Sequence, residues 1–109
     1  MFNVDNDINA KKYDKSVIMF CSNTCNPCKI TVRTISEIEK ENVKLAFFKV
    51  TVDNSDECRE LAISYNVNTL PTIVFLESGE VKKIHAGIIH NKDKFKNICK
   101  EVYGNDFEI

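Results

Sequence analysis

Two prolines and three glycines are all that punctuate this sequence of 109 residues. With so few breakers, each one marks a position that needs it. No repeat, low-complexity stretch or linker interrupts the chain, and its length suits one domain with a modest core. Long apolar runs are missing as well. The longest, Val17–Cys21, is far too short to span a bilayer. Neither sign of charge dominates: 15 basic and 16 acidic side chains leave a net charge of −1. That balance gives no electrostatic case for binding nucleic acid or an anionic membrane. The opening residues, Met1-Phe2-Asn3-Val4-Asp5, show neither a basic n-region nor an apolar h-region, so the expectation is no signal peptide and a cytoplasmic location. The cysteines number five, an odd and unevenly spaced set, which speaks against the even, dense framework of a secreted disulfide scaffold.

Three of those cysteines cluster at Cys21, Cys25 and Cys28, whereas Cys58 and Cys99 stand alone. In a reducing cytosol a clustered Cys-X-X-Cys points to redox chemistry or a metal. The surrounding pattern is strand, helix, strand. Ser16–Cys21 reads as a strand buried on both faces. Ser22-Asn23-Thr24 is a polar turn, and Pro27 sits where a helix begins and an N–H is not needed. From Cys28 to about Asn42 the spacing predicts a helix with Cys28, Val32, Ile35 and Ile38 on its apolar stripe. Leu45–Val52 is a second buried strand, and a right-handed crossover makes the two parallel. Asp53-Asn54-Ser55 carries N-cap chemistry for a helix to Tyr65, whose inward face is Cys58, Leu61, Ala62 and Tyr65. Thr72–Glu77 and Val81–Ala86 form an antiparallel hairpin about Ser78-Gly79. A last helix runs from about Asn91 to Tyr103 and stops at Gly104. Phe2–Lys12 is expected to be a short strand or arm followed by a short helix.

The chemistry concentrates at Cys25-Asn26-Pro27-Cys28, between a buried strand and a helix start. First-turn N–H groups lack intrahelical partners and the macrodipole is positive there, so a thiolate is favoured over a thiol. Such placement lowers a cysteine pKa to roughly 3.5–7.5, a range for which thioredoxin is itself one of the standard examples. Cys25, at the loop edge, is the thiol expected to be exposed, and Cys28, one turn in, the one expected to face inward. The first can attack a disulfide and the second can attack the resulting mixed disulfide.

Phe20-Cys21-Ser22-Asn23-Thr24-Cys25-Asn26-Pro27-Cys28-Lys29 resembles the active-site segment of the thioredoxin family. Asn68-Thr69-Leu70-Pro71-Thr72 is similar to its cis-proline loop, and Ser78-Gly79-Glu80 to the turn after the following strand. His85-Ala86-Gly87-Ile88 is similar to the glycine loop before its last helix, and Val50-Thr51-Val52-Asp53 also matches in place. The resemblance implies an α/β thioredoxin fold, with a central mixed sheet flanked by helices on both faces. It implies one domain over 1–109, with an arm or short helix at 1–15, a core at 16–103 and a tail at 104–109. It further implies a protein-disulfide reductase with Cys25 as nucleophile, Cys28 as resolving thiol and Pro71 in cis facing the sulfurs. Asn26 and Pro27 complete the motif. The implied docking surface is Thr24, Val52, Thr69, Leu70, Ala86, Gly87 and Ile88, with the backbone of Leu70 pairing with an extended substrate chain. No cofactor or metal is implied beyond the redox-active Cys25–Cys28 disulfide. The implied partners are disulfide-containing proteins and an NADPH-dependent flavoprotein thioredoxin reductase, met by a monomer.

The sequence also departs from the family. The tryptophan expected before the first cysteine is Thr24, and the common glycine inside the motif is Asn26. The buried acid that assists the resolving cysteine is Met19, although Lys49 matches the lysine that neighbours it. A proline that kinks the active-site helix is Arg33, and the N-terminal arm is short, with the first strand missing or reduced. Rival readings exist. Cys21-X3-Cys25-X2-Cys28 matches the spacing of radical S-adenosylmethionine enzymes, but the chain is too short for their barrel. A zinc site needs a second ligand pair, which His85 and His90 do not supply by spacing. A glutaredoxin-like or oxidising relative is a further reading, although glutaredoxin motifs put proline directly after the first cysteine. A non-redox adaptor on the same fold is the reading from another class. Cys58 and Cys99 read as core residues. Cys21 reads as core or as a modulating thiol near the site.

Overall fold

The computed structural model describes residues 1–41 and 43–109. Those residues form five strands and four helices, in the order β1 (Phe2–Asn3), α1 (Ile8–Lys12), β2 (Lys15–Cys21), α2 (Asn26–Glu39), β3 (Ala46–Thr51), α3 (Asp56–Ser64), β4 (Thr72–Glu77), β5 (Glu80–Ala86) and α4 (Lys92–Tyr103). The sheet order is β1-β3-β2-β4-β5. β1, β3 and β2 run parallel, and β4 and β5 are antiparallel to their neighbours. This is the thioredoxin fold, a mixed sheet between two helical layers.

The alternation of side chains along β2 builds both cores. Val17, Met19 and Cys21 point to one face, where they meet Phe47, Ile73 and Phe75 with Ile35 and Ile38 of α2 and Phe95, Ile98 and Cys99 of α4. Ile18 and Phe20 point to the other, against Phe48, Val50, Val74 and Leu76 with Ala10 of α1 and Cys58 and Ala62 of α3. A strand buried on both faces must be apolar throughout, which is why β2 reads as a continuous run. The hairpin between β4 and β5 turns on Ser78 and Gly79, both at positive φ (51° and 82°), the backbone a two-residue turn requires. A Cβ on Gly79 would lie 3.3 Å from the Lys11 carbonyl oxygen, so the turn also seats against α1.

β1 is reduced to two residues, as the short N-terminal arm leads one to expect. The start and buried face of α2 differ from expectation. α2 begins at Asn26, and Cys25 is its N-cap. Its buried face carries Thr31 and Thr34 beside Cys28, Ile35 and Ile38, whereas Val32 is only half-buried. The apolar stripe missed both threonines because each is paired internally: Thr34 donates its hydroxyl to the Ile30 carbonyl, and Thr31 Oγ1 accepts the Ile89 N–H. The expected end of this helix at Asn42 lies outside the described residues. Among the described residues, no helix is long and apolar enough to cross a membrane.

Candidate active site

Parallel pairing puts the C-terminal ends of β2 and β3 side by side, with Cys21 opposite Thr51. The loops leaving those ends are joined: Val52 donates its N–H to the Cys21 carbonyl at 2.7 Å. Asn23 donates its backbone N–H to both carboxylate oxygens of Asp53 (3.1 and 3.2 Å) and its side-chain amide to Asp53 and Asn54. Asp53 is therefore a tether for the loop before Cys25, and the N-cap of α3 is Ser55 alone. Nothing local in the sequence separates these two roles, because the partner of Asp53 lies in a different loop.

Cys25 follows in extended backbone as the N-cap of α2, its Sγ accepting the Cys28 N–H at 3.2 Å. Pro27 stands in the first turn, where its missing N–H leaves no bond unmade. No acid occupies that turn. The positive end of the helix therefore meets the sulfur without competition. Cys25 is half-exposed and Cys28 is 2% exposed. The two are joined in a disulfide, with Cα atoms 5.2 Å apart.

The antiparallel run of β4 brings its beginning to the same end of the sheet, Thr72 lying opposite Phe20 of β2 and Ala86 of β5. Leu70–Pro71 is a cis peptide. Leu70 packs against the core cluster that holds Cys28, as Cys25 does. Pro71 is buried, and its carbonyl accepts the Gly87 N–H at 2.8 Å. The topology thus gathers Thr24, Val52, Thr69, Leu70, Ala86, Gly87 and Ile88 around one end of the sheet. Thr24, Thr69, Ala86 and Ile88 are exposed, and Val52, Leu70 and Gly87 half-buried.

The other thiols are quieter. Burial pushes the Cys21 thiol up to about 11, with the charge of Lys49 pulling the other way, and burial pushes Cys99 up to about 12. Both stay protonated at neutral pH. Cys58 is buried against the N-terminal arm, its Sγ 3.8 Å from the Val4 carbonyl oxygen. Met19 lies 2% exposed in the cluster with Cys28, and its partner in register is Lys49. His85 is half-buried on β5; burial, with Lys94 and Lys83 nearby, lowers its pKa. Among the described residues, no three metal-ligating side chains come together.

Residues 2–101 match the family model of thioredoxin. The chain belongs to the thioredoxin family. It is a thiol–disulfide oxidoreductase, and Cys25–Cys28 stands where such a member carries its Cys-X-X-Cys. Thioredoxin-T of Drosophila melanogaster is 32% identical over 93 residues, covering 84% of this chain and 56% of that protein. The thioredoxin of Mycoplasmoides gallisepticum is 30% identical over 86 residues, covering 79% and 82%. The chain therefore spans little more than half of the first relative and most of the second. Among solved structures, the thioredoxin of Fasciola hepatica superposes with a TM-score of 0.77 at 26% identity, over 94% of this chain and 99% of that one.

Proposed function

We propose that this protein reduces the disulfides of protein substrates, with Cys25 as nucleophile and Cys28 as resolving thiol. The observation that carries the assignment is the asymmetry of the pair: Cys25 caps α2 half-exposed, and Cys28 is buried one turn behind it. In the reduced protein the Cys25 thiolate attacks one substrate sulfur. The substrate S–S bond breaks, a Cys25–substrate bond forms, and the second substrate sulfur leaves as a thiolate that takes a proton from water. The Cys28 thiolate then attacks Cys25 Sγ and expels the first substrate sulfur. The substrate gains two electrons and two protons, and the protein ends as the Cys25–Cys28 disulfide.

The substrate chain lies along Leu70, pairing with its backbone as an added strand, against Thr24, Val52, Thr69, Ala86, Gly87 and Ile88. With Met19 carrying no titratable group, Cys28 yields its proton to solvent, and resolution quickens as pH rises. The electrons return from an NADPH-dependent flavoprotein thioredoxin reductase, and the setting is the cytoplasm. The three unpaired buried cysteines suit such a reducing compartment.

Alkylation and trapping test the roles. Reduced native protein should be labelled at Cys25 first, and Cys28→Ser should accumulate mixed disulfides with a protein substrate that dithiothreitol releases. Labelling of Cys28 ahead of Cys25 would reverse the assignment. The reduction potential of the pair ranks it against reductants and oxidants and so decides the direction of flow.

A further inference from the structure

The loop after β5 is fastened at two points, one to each wall of the site. Gly87 donates its N–H to the Pro71 carbonyl at 2.8 Å. Two residues on, Ile89 donates its N–H to Thr31 Oγ1 at 3.0 Å. Thr31 and Ile89 are both fully buried, at 0% exposure. Thr31 stands one turn after Cys28 on α2, so a single side chain connects the thiol-bearing helix to the loop that closes the opposite wall. A buried helical threonine ordinarily returns its hydroxyl to its own helix, as Thr34 does with the Ile30 carbonyl. Thr31 instead offers an oxygen across a sequence separation of 58 residues.

We propose that Thr31 is a positioning residue for substrate docking: it holds Gly87–Ile89 in register with Pro71, so that Ala86, Gly87 and Ile88 meet the substrate chain. This rests on the reading that those residues dock protein disulfides. The physical ground is the cost of an orphaned donor. Without Oγ1 the Ile89 N–H is buried with no partner, and a protein relieves such a group by moving it to water. Gly87, at φ 109° with no atom within 4 Å of the place a Cβ would take, is the point where the loop can swing. A swing there pulls on the bond to Pro71.

Thr31→Val keeps the shape and removes the acceptor, and Thr31→Ser keeps the acceptor and removes the methyl. For Thr31→Val, KM toward a protein disulfide such as insulin should rise about tenfold with kcat nearly unchanged. The rate with a small aromatic disulfide, which needs only Cys25, should stay within about twofold. The reduction potential should not move, and Thr31→Ser should restore KM. Native-state amide exchange gives a readout without turnover: the Ile89 and Gly87 amides should exchange faster in Thr31→Val while the amides of α2 keep their protection. An unchanged KM, equal losses on both substrates, Thr31→Ser as poor as Thr31→Val, or full protection at Ile89 in Thr31→Val would each overturn the proposal. Should the wild type reduce no protein disulfide while Ile89 loses protection in Thr31→Val, the reductase reading falls and takes the docking role with it. The hydrogen bond itself would then remain as a structural tie only.

Discussion

The helices α2 and α3 begin almost identically, yet only one of them is a redox site. Each follows a parallel strand. Each has an N-cap side chain accepting the N–H of a cysteine three residues on: Cys25 from Cys28 at 3.2 Å, Ser55 from Cys58 at 3.1 Å. Both of those inner cysteines are buried. The differences are two. The cap atom is sulfur in α2 and oxygen in α3, and the first turn holds Asn26 and Pro27 in α2 but Asp56 and Glu57 in α3. In α3 the acids complement the macrodipole, and the cap is purely structural. In α2 the positive end is left for the sulfur. A helix start is therefore a platform, and the chemistry depends on which atom caps it and which loops face it.

The largest expected effect comes from making α2 begin as α3 does. Cys25→Ser should lower disulfide reduction to below about a thousandth of wild type, because the nucleophile is gone. Its hydroxyl can still accept the Cys28 N–H. The thermal midpoint should therefore match that of reduced wild type within about 4 °C. A larger drop would show that the sulfur does more than cap the helix.

Next in size is a change beneath the pair. Met19→Asp buries a carboxyl in the cluster that holds Cys28 and should cost about 2–4 kcal/mol in urea unfolding. Lys49, its partner in register, is the counter-ion at hand, so adding Lys49→Met should deepen the loss. The new carboxyl also adds a titration coupled to Cys28. Single-turnover reduction across pH should change shape. Superimposable profiles for wild type and Met19→Asp would mean that position 19 takes no part in proton transfer.

A smaller effect sharpens the comparison from the other side. Ser55→Cys gives α3 the sulfur cap that α2 has. A second disulfide should form, so that the oxidised, denatured variant titrates two thiols (six cysteines less four). Wild type titrates three (five less two). Activity should not increase. Ser55 and Cys58 open on a cavity of about 450 Å³ whose other lining residues are Asn3, Val4, Asp5, Asn6, Asn9 and Asn54, none of them a residue placed in the docking surface. A gain in reduction would show that a cysteine pair at a helix start is sufficient.

What the sequence made legible follows the same division. β2, β3, the hairpin and the approximate start of α2 are local: a continuous apolar run, a Ser-Gly turn and a proline at a helix start are each read from adjacent residues. The cysteine pair is likewise read from its spacing and its place at a helix start, whereas Leu70–Pro71 came from motif resemblance, because what brings it to that end of the sheet is the register of β4 on β2. The ties that set the walls of the site were not legible. Asp53 looks like a cap beside Ser55, and only the neighbouring loop makes it a tether for Asn23. Thr31 looks like a polar break in an apolar stripe, and only Ile89 explains its burial.

The smallest effect concerns how α3 is held. Its end is fastened to the N-terminal arm by Tyr65, whose hydroxyl donates to Asp7 at 2.7 Å, and Lys11 pairs with the same carboxylate at 3.1 Å. Burial would raise the Asp7 pKa, but the Tyr65 hydroxyl and Lys11 outweigh it and hold the carboxyl below its ordinary value of 3.8. A group whose pKa is lowered by folding contributes stability that is present above its unfolded value and lost as pH falls through the folded one. Asp7→Asn should therefore be less stable than wild type at neutral pH, by under about 1 kcal/mol because solvent screens the partly exposed pair. The gap should narrow as pH drops below 3.8 and close once pH has fallen through the lower folded value, where wild-type Asp7 is itself neutral. Tyr65→Phe should likewise cost stability at neutral pH and lose less on acidification. Disulfide reduction should be unchanged in both, since the Tyr65–Asp7–Lys11 contact joins α1 to the end of α3, and the arm meets α2 at Glu39, the end far from Cys25, through the Met1 amino group. Urea titrations at several pH values decide the matter: a gap that persists in acid would assign Asp7 to the geometry of α1 and not to its charge.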